Sequence, residues 1–204
     1  MPGMFIAIEG IDGSGKGTLA KALANRFFEE GKTVVLTEEP YSERYGREIR
    51  LLLHRQHPPA VHLAQLYVQD RWAHIETAIK PALFAANIVV SKRYMYSTLA
   101  YQQAQGLPFA NLLAMHAGFL KPDVTFILDV APETALHRIK RHADHETFEQ
   151  QSFLRKVRKN YLALPDLLPK DRFIILDASK HPADVLRVAL GELTRIMKEL
   201  EVFA

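Results

Sequence analysis

Gly10-Ile11-Asp12-Gly13-Ser14-Gly15-Lys16 places glycines, a carboxylate, a hydroxyl and a lysine in seven consecutive residues, after the apolar run Phe5-Ile6-Ala7-Ile8 and before a helical pattern reaching about Glu30. Glycines there let backbone N–H groups converge on a phosphate, the helix N-terminus adds a favourable dipole, and Lys16 brings a mobile cation to the β and γ oxygens. The strict pattern wants Ser or Thr directly after the lysine, whereas Gly17 stands there and Thr18 follows. Gly10, Gly13, Ser14, Gly15, Lys16, Gly17 and Thr18 thus form a candidate triphosphate-binding set. Asp12 within it is costly beside phosphate unless it serves a hydroxyl or a hydrated cation. Tyr67 and Arg71, four apart on a helical pattern, share a face and flank one site with a ring and a guanidinium. Arg93 opens the stretch Arg93-Tyr94-Met95-Tyr96-Ser97-Thr98-Leu99-Ala100-Tyr101-Gln102, just after the third apolar run, where ligands of doubly wound folds bind. Arg138 and Arg141 share one helical face just before the polar segment 142–149.

Five short β-branched or apolar runs, at 5–8, 33–37, 88–91, 124–129 and 172–177, must position these residues. Helical patterns separate them, at 16–30, 45–54, 60–85, 95–104, 108–118, 132–141, 149–163 and 181–200. Continuous apolar runs alternating with helices predict a doubly wound α/β fold, a five-stranded parallel sheet with helices on both faces. With 204 residues, 48% hydrophobic and 24% charged, the chain reads as one globular domain spanning 1–204, with a lid segment at about 138–150. A formal charge of +3 suits anionic small molecules and demands no nucleic acid, since acidic residues dilute the basic run around Arg155 to Lys159. With no cysteines, disulfides, thiol catalysis and thiolate metal sites are excluded. No signal-like N-terminus or span-length apolar run is present, so a cytoplasmic protein without membrane association is expected.

The phosphate turn, the Tyr67-Val68-Gln69-Asp70-Arg71-Trp72-Ala73-His74 helix and the Arg93 to Gln102 stretch together resemble the thymidylate kinase family, over about residues 5–163. The resemblance implies a P-loop NTPase fold, ATP as phosphoryl donor with Mg²⁺, dTMP as acceptor, transfer to dTDP and ADP, and a homodimer. It places Asp12 near the sugar 3′-hydroxyl, Tyr67 against the thymine, Arg71 on its carbonyl edge and Arg93 on the acceptor phosphate. Ser97, Thr98 and Gln102 would lie around the base, and Tyr101 would block the 2′ position. Glu39-Pro40 matches part of an Arg-Glu-Pro motif at the acceptor. Glu9 and Asp12 would organise hydrated magnesium, with Glu39 nearby.

Two departures accompany these matches: Glu38 stands where the family's motif has arginine, and Lys92 stands where members carry aspartate before the arginine. On that basis alone, Lys92→Asp is expected to improve the rate or leave it unchanged. The turn also has Gly13 and Ser14 where some members place an arginine, so Arg138 and Arg141 are the candidates to reach the bridging oxygens when a lid closes. Lys16, Asp12, Arg93, Arg138 and Arg141 are the expected catalytic set. Two alternatives stay open: a kinase of another nucleotide or deoxynucleoside, and an ATP-binding interaction protein with a degenerate site.

Overall fold

A computed structural model describes residues 3–54, 59–139 and 147–202. Five strands, β1 (Met4–Gly10), β2 (Val34–Glu38), β3 (Ile88–Lys92), β4 (Val124–Asp129) and β5 (Phe173–Asp177), form one sheet in the order β2-β3-β1-β4-β5. Every pairing is parallel. All seven residues of β1 are buried, as expected of a central strand covered on both faces. The outer strands β2 and β5 leave Leu36 and Ile175 exposed. The doubly wound α/β expectation thus matches the observed sheet.

Nine α-helices are described: α1 (Lys16–Glu29), α2 (Glu43–Leu53), α3 (Ala60–His74), α4 (Lys80–Phe84), α5 (Met95–Ala104), α6 (Phe109–Met115), α7 (Pro132–Ile139), α8 (Thr147–Leu167) and α9 (Pro182–Val202). The single helix expected over 60–85 is α3 and α4 joined by a π-helical turn, Ile75–Ile79. Pro81 has no N–H for the carbonyl of Thr77, and the ladder widens just ahead of it, with Lys80 N bonding Ile75 O. Helix α8 continues through Pro165, four residues past the expected end at 163, because a proline near a C-terminus forfeits a single ladder bond. The central core joins β1, β3 and β4 to Leu19, Leu23 and Phe27 of α1, Leu99 of α5, Val157 and Leu164 of α8 and Ile196 of α9. A smaller cluster, Ile49, Leu52, Leu63 and Leu66, packs α2 on α3 and seats the partly buried Tyr67.

Candidate active site

The turn after β1 presents open backbone donors. Helix α1 begins at Gly15 (φ 96°) with no side-chain cap and no acidic residue in its first turn, so its leading N–H groups are available to an anion. Gly13 (φ +79°) lies against α7: a Cβ there would sit 2.2 Å from the Ala135 carbonyl oxygen. No side chain fits, which is why an arginine cannot come from this position. The Ser14 hydroxyl is buried without a hydrogen-bond partner, a donor left for a phosphate oxygen.

Lys16 is buried and folded back, its Nζ donating to Gly10 O (2.9 Å) and Ile11 O (2.7 Å). Burial, then the Arg93 charge, lower its ammonium from 10.5 to about 7, with Asp12 and Glu9 opposing. Above pH 7 the free protein therefore holds Lys16 mostly neutral, whereas a bound polyphosphate favours the ammonium. Nucleotide binding at pH 8 is expected to draw a proton from solvent, and binding at pH 5.5 to draw none through this group. Calorimetric titration with ADP in buffers of different ionisation enthalpy measures that uptake, and Lys16→Met should remove it.

Two cavities open on either side of this turn. The first, about 560 Å³, is lined by Ser14, Gly15 and Thr18 together with Leu19, Ala22, Leu128, Arg138 and the β5–α9 segment from Ala178 to Leu186. Its size and apolar walls suit a nucleoside attached to phosphates on the turn. The second, about 520 Å³, is lined by Asp12, Glu39, Pro40, Tyr67, Arg71, Arg93, Ser97, Thr98, Tyr101 and Gln102, all the residues expected around the acceptor, plus Leu53, Gln105 and Phe153.

At the mouth of the second cavity Arg93 adopts φ 72°, a left-handed backbone uncommon outside glycine and costly for a long side chain. Its guanidinium pairs with Asp12 and donates to Ser97 Oγ at 3.1 Å. Tyr101 donates its hydroxyl to Asp12 Oδ2 (3.1 Å) and accepts from the Asp12 N–H (3.2 Å). Burial alone would raise the Asp12 carboxyl, but Arg93 and Lys16 outweigh it and hold Asp12 below the usual range. Lys16 Nζ is 3.9 Å from Asp12. A lysine, an arginine and an ionised carboxylate thus meet between the cavities.

Beneath the second cavity lies a buried polar network. Arg71, fully buried, donates from Nε to Glu39 Oε1 (3.1 Å) and Oε2 (2.9 Å), from Nη2 to Glu39 Oε2 (2.5 Å) and Thr98 Oγ1 (3.3 Å), and from Nη1 to His116 Nε2 (2.7 Å). His116 donates its Nδ1–H to Leu112 O at 2.6 Å. Burial, then Arg71, lower His116 to about 3, so it stays neutral and accepts. His74 donates to Glu39 Oε1 (3.1 Å), meets Thr37 Oγ1 (2.8 Å) and stacks on Tyr41. Asp70 accepts from the N–H groups of Tyr41 (2.6 Å) and Ser42 (2.7 Å), fixing the loop that carries Glu39 and Pro40. Of the five guanidinium N–H groups, one on Nη1 is left uncommitted. Gln102 is buried, and its Oε1 has no partner.

Several expected roles change. Glu9, expected to organise hydrated magnesium, is fully buried and accepts from Tyr94 N (2.8 Å), Ser97 N (3.1 Å), Ser97 Oγ (2.6 Å) and Tyr161 Oη (2.9 Å). Burial raises its carboxyl despite those donors. It braces β1 against α5 and α8. Glu39 is likewise committed to Arg71 and His74 rather than to a hydrated cation. Ser97 spends its hydroxyl on Glu9 and Arg93, and Thr98 on Arg71, so both hold the cavity wall from behind. Arg138 lies over the first cavity with Nη2 on Ala178 O (2.9 Å), not between the two cavities, because α7 leads it toward the β5–α9 segment. Arg141 and most of the expected lid at 138–150 fall outside the described residues. Glu38 and Lys92 prove to be partners, an ion pair across registered strand ends.

A family model described as thymidylate kinase matches residues 8–188. The chain belongs to the thymidylate kinase family. It is 42% identical to a thymidylate kinase of Xanthomonas euvesicatoria pv. vesicatoria over 188 residues, 92% of this chain and 81% of the relative. It is 40% identical to a probable thymidylate kinase of Thermococcus kodakarensis over 181 residues, 84% of this chain and 88% of the relative. A probable thymidylate kinase of Pyrococcus abyssi is 38% identical over 186 residues, 88% and 91% of the two chains. Membership makes the chain an ATP-dependent nucleoside monophosphate kinase, a transferase that phosphorylates dTMP.

Sequence reasoning missed the rear support of the second cavity, Asp70, His74, His116 and Tyr161, and the β5–α9 wall of the first. A signal existed for the first two. Residues 67, 70, 71 and 74 fall on one helical face, so the face that presents Tyr67 and Arg71 also carries Asp70 and His74. His116 and Tyr161 join through tertiary packing alone, and the Ala178 to Leu186 segment has no motif.

Proposed function

We propose that ATP lies with its triphosphate on the Gly13 to Thr18 turn and its nucleoside in the first cavity, that dTMP fills the second, and that the γ-phosphoryl group passes between them beside Lys16 and Arg93. The observation that carries this reading is the single turn that serves both cavities: Ser14 and Gly15 line one, Asp12 lines the other, and Lys16 stands between. Phosphoryl transfer needs in-line positioning and neutralisation of spreading charge more than covalent help. Lys16 leaves its two carbonyls for the donor oxygens, Arg93 holds the acceptor phosphate, and Asp12 with Tyr101 faces the sugar edge.

The base end matches a pyrimidine with two carbonyls. The unpartnered Gln102 Oε1 accepts from a ring N3–H, and the remaining Arg71 N–H donates to O4, with Tyr67 along the ring. Cytosine presents a lone pair and an amino group at the same places, and both contacts turn repulsive.

Asp12, held ionised between the cavities, and the Thr18 hydroxyl would hold Mg²⁺, a hard cation that takes most of its ligands from phosphates and water and needs few from the protein. When bound it would supply charge that neutralises the phosphates during transfer. Arg138, and Arg141 beyond the described residues, are the lid arginines of this reading. A homodimer in the cytoplasm is the setting the family resemblance suggests, and light scattering reads the assembly state. Among the described residues no helix is long and apolar enough to cross a membrane.

The test is ADP release from ATP and Mg²⁺ against dTMP, dUMP, dCMP, UMP, AMP, GMP and thymidine. A dTMP signal well above the rest, with dUMP next and dCMP near background, supports the assignment. Preference for another acceptor discards the base contacts, and ATP binding without any product discards transfer.

A further inference from the structure

The three places where this chain departs from the expected pattern, Gly17, Glu38 and Lys92, converge on one spot. Lys92 ends β3, in register with Ile8 of β1 on one side and Glu38 of β2 on the other. Its stem runs along the first turn of α1: a Cβ on Gly17 would lie 3.9 Å from Lys92 Cδ. Its charge reaches the same ground, since Lys92 adds to the groups that disfavour the Lys16 ammonium. Where the family has an acid, this chain has set a second cation beside the open helix N-terminus that receives phosphates.

That cation is tethered lightly. Glu38 pairs with Lys92, but the side chains are 59% and 34% exposed, and exposed pairs of this kind contribute little because water screens them and two flexible chains must be ordered. A triphosphate on the Gly13 to Thr18 turn brings several negative charges to the side of Lys92 facing α1, against one solvated carboxylate on the outer strand. We propose that Lys92 is a further phosphate-binding residue for the donor nucleotide, held at the strand ends by Glu38 until nucleotide competes for it. This rests on the donor-site reading above.

Glu38→Gln and Lys92→Met both break the pair, so a purely structural pair predicts the same direction of change from each. A phosphate-binding lysine predicts opposite directions. ADP titrated calorimetrically into the intact protein, without acceptor, should bind about threefold tighter to Glu38→Gln, the scale of one exposed pair released. Lys92→Met should bind about tenfold more weakly, the loss of one charged contact. Lys92→Arg should stay within about twofold of the parent because the charge is kept. Lys92→Asp should bind more weakly than Lys92→Met, because it adds a carboxylate beside both Glu38 and the phosphates. Melting temperatures confirm that each variant is folded. Equal or same-direction shifts in Glu38→Gln and Lys92→Met, or unchanged affinity in Lys92→Met, overturn the proposal. Failure of the parent protein to bind ADP overturns the donor site itself, a separate result.

Discussion

Lys16→Met should lower kcat/KM for dTMP phosphorylation by about 100- to 1000-fold, the usual cost of removing one preorganised donor from the charge that develops in a transition state. The loss should fall mainly on kcat. In the free protein Lys16 Nζ already donates to the carbonyls of Gly10 and Ile11, so moving to the phosphates exchanges those hydrogen bonds for others, takes up a proton above pH 7, and contributes modestly to ground-state binding. Its advantage grows as charge spreads over the transferred group. Steady-state kinetics with ADP affinity measured alongside separates these contributions. A fall in kcat/KM carried wholly by weaker nucleotide binding would sink the argument.

Arg71→Met should be the most destabilising substitution in the acceptor wall. Glu39 is buried and holds Arg71 through both carboxylate oxygens, Oε1 from Nε and Oε2 from Nε and Nη2, and deleting one partner of a buried pair costs about 3–5 kcal/mol because the other charge is left uncompensated. For a chain of this size that is a fall in Tm of about 6–20 °C. The dTMP KM should rise as well, since the guanidinium lines the cavity. A double variant, Arg71→Met with Glu39→Gln, separates the two effects. Removing the orphaned charge should recover part of the Tm, while the KM stays high. Differential scanning calorimetry and initial-rate kinetics on both variants provide the comparison, and an Arg71→Met Tm within 2 °C of the parent, a bound set by the same scaling, would refute the role given to the pair.

These two residues also mark how far the sequence could be read. The strands and helices were legible because continuous apolar runs and 3.6-residue stripes each have one physical explanation in a covered parallel sheet. Lys16 was legible for a similar reason: glycines, lysine and helix start are adjacent in the chain, so spacing carries the geometry. Arg71 was grouped with Tyr67, and both line the second cavity, but its buried partners were not legible. Its position on a helix face could be read from spacing, yet its commitment to Glu39, Thr98 and His116 arises from packing among four separate segments. The partners of Glu9 were hidden in the same way. A carboxylate at the end of a strand beside a phosphate turn invites a metal role, and the two tyrosines and the serine that donate to it are residues 94, 161 and 97, which only the folded chain brings near. The Glu38–Lys92 pair was visible as two unrelated oddities until strand register joined them.

The close approach of Gly13 to the Ala135 carbonyl has a mechanical consequence. With no side chain between them, the turn and α7 approach backbone to backbone. While that contact holds, any swing of Arg138 toward the turn must pivot after Ala135, within the last turn of α7. The reach of such a swing is therefore set by the short stretch from Leu136 to Arg138.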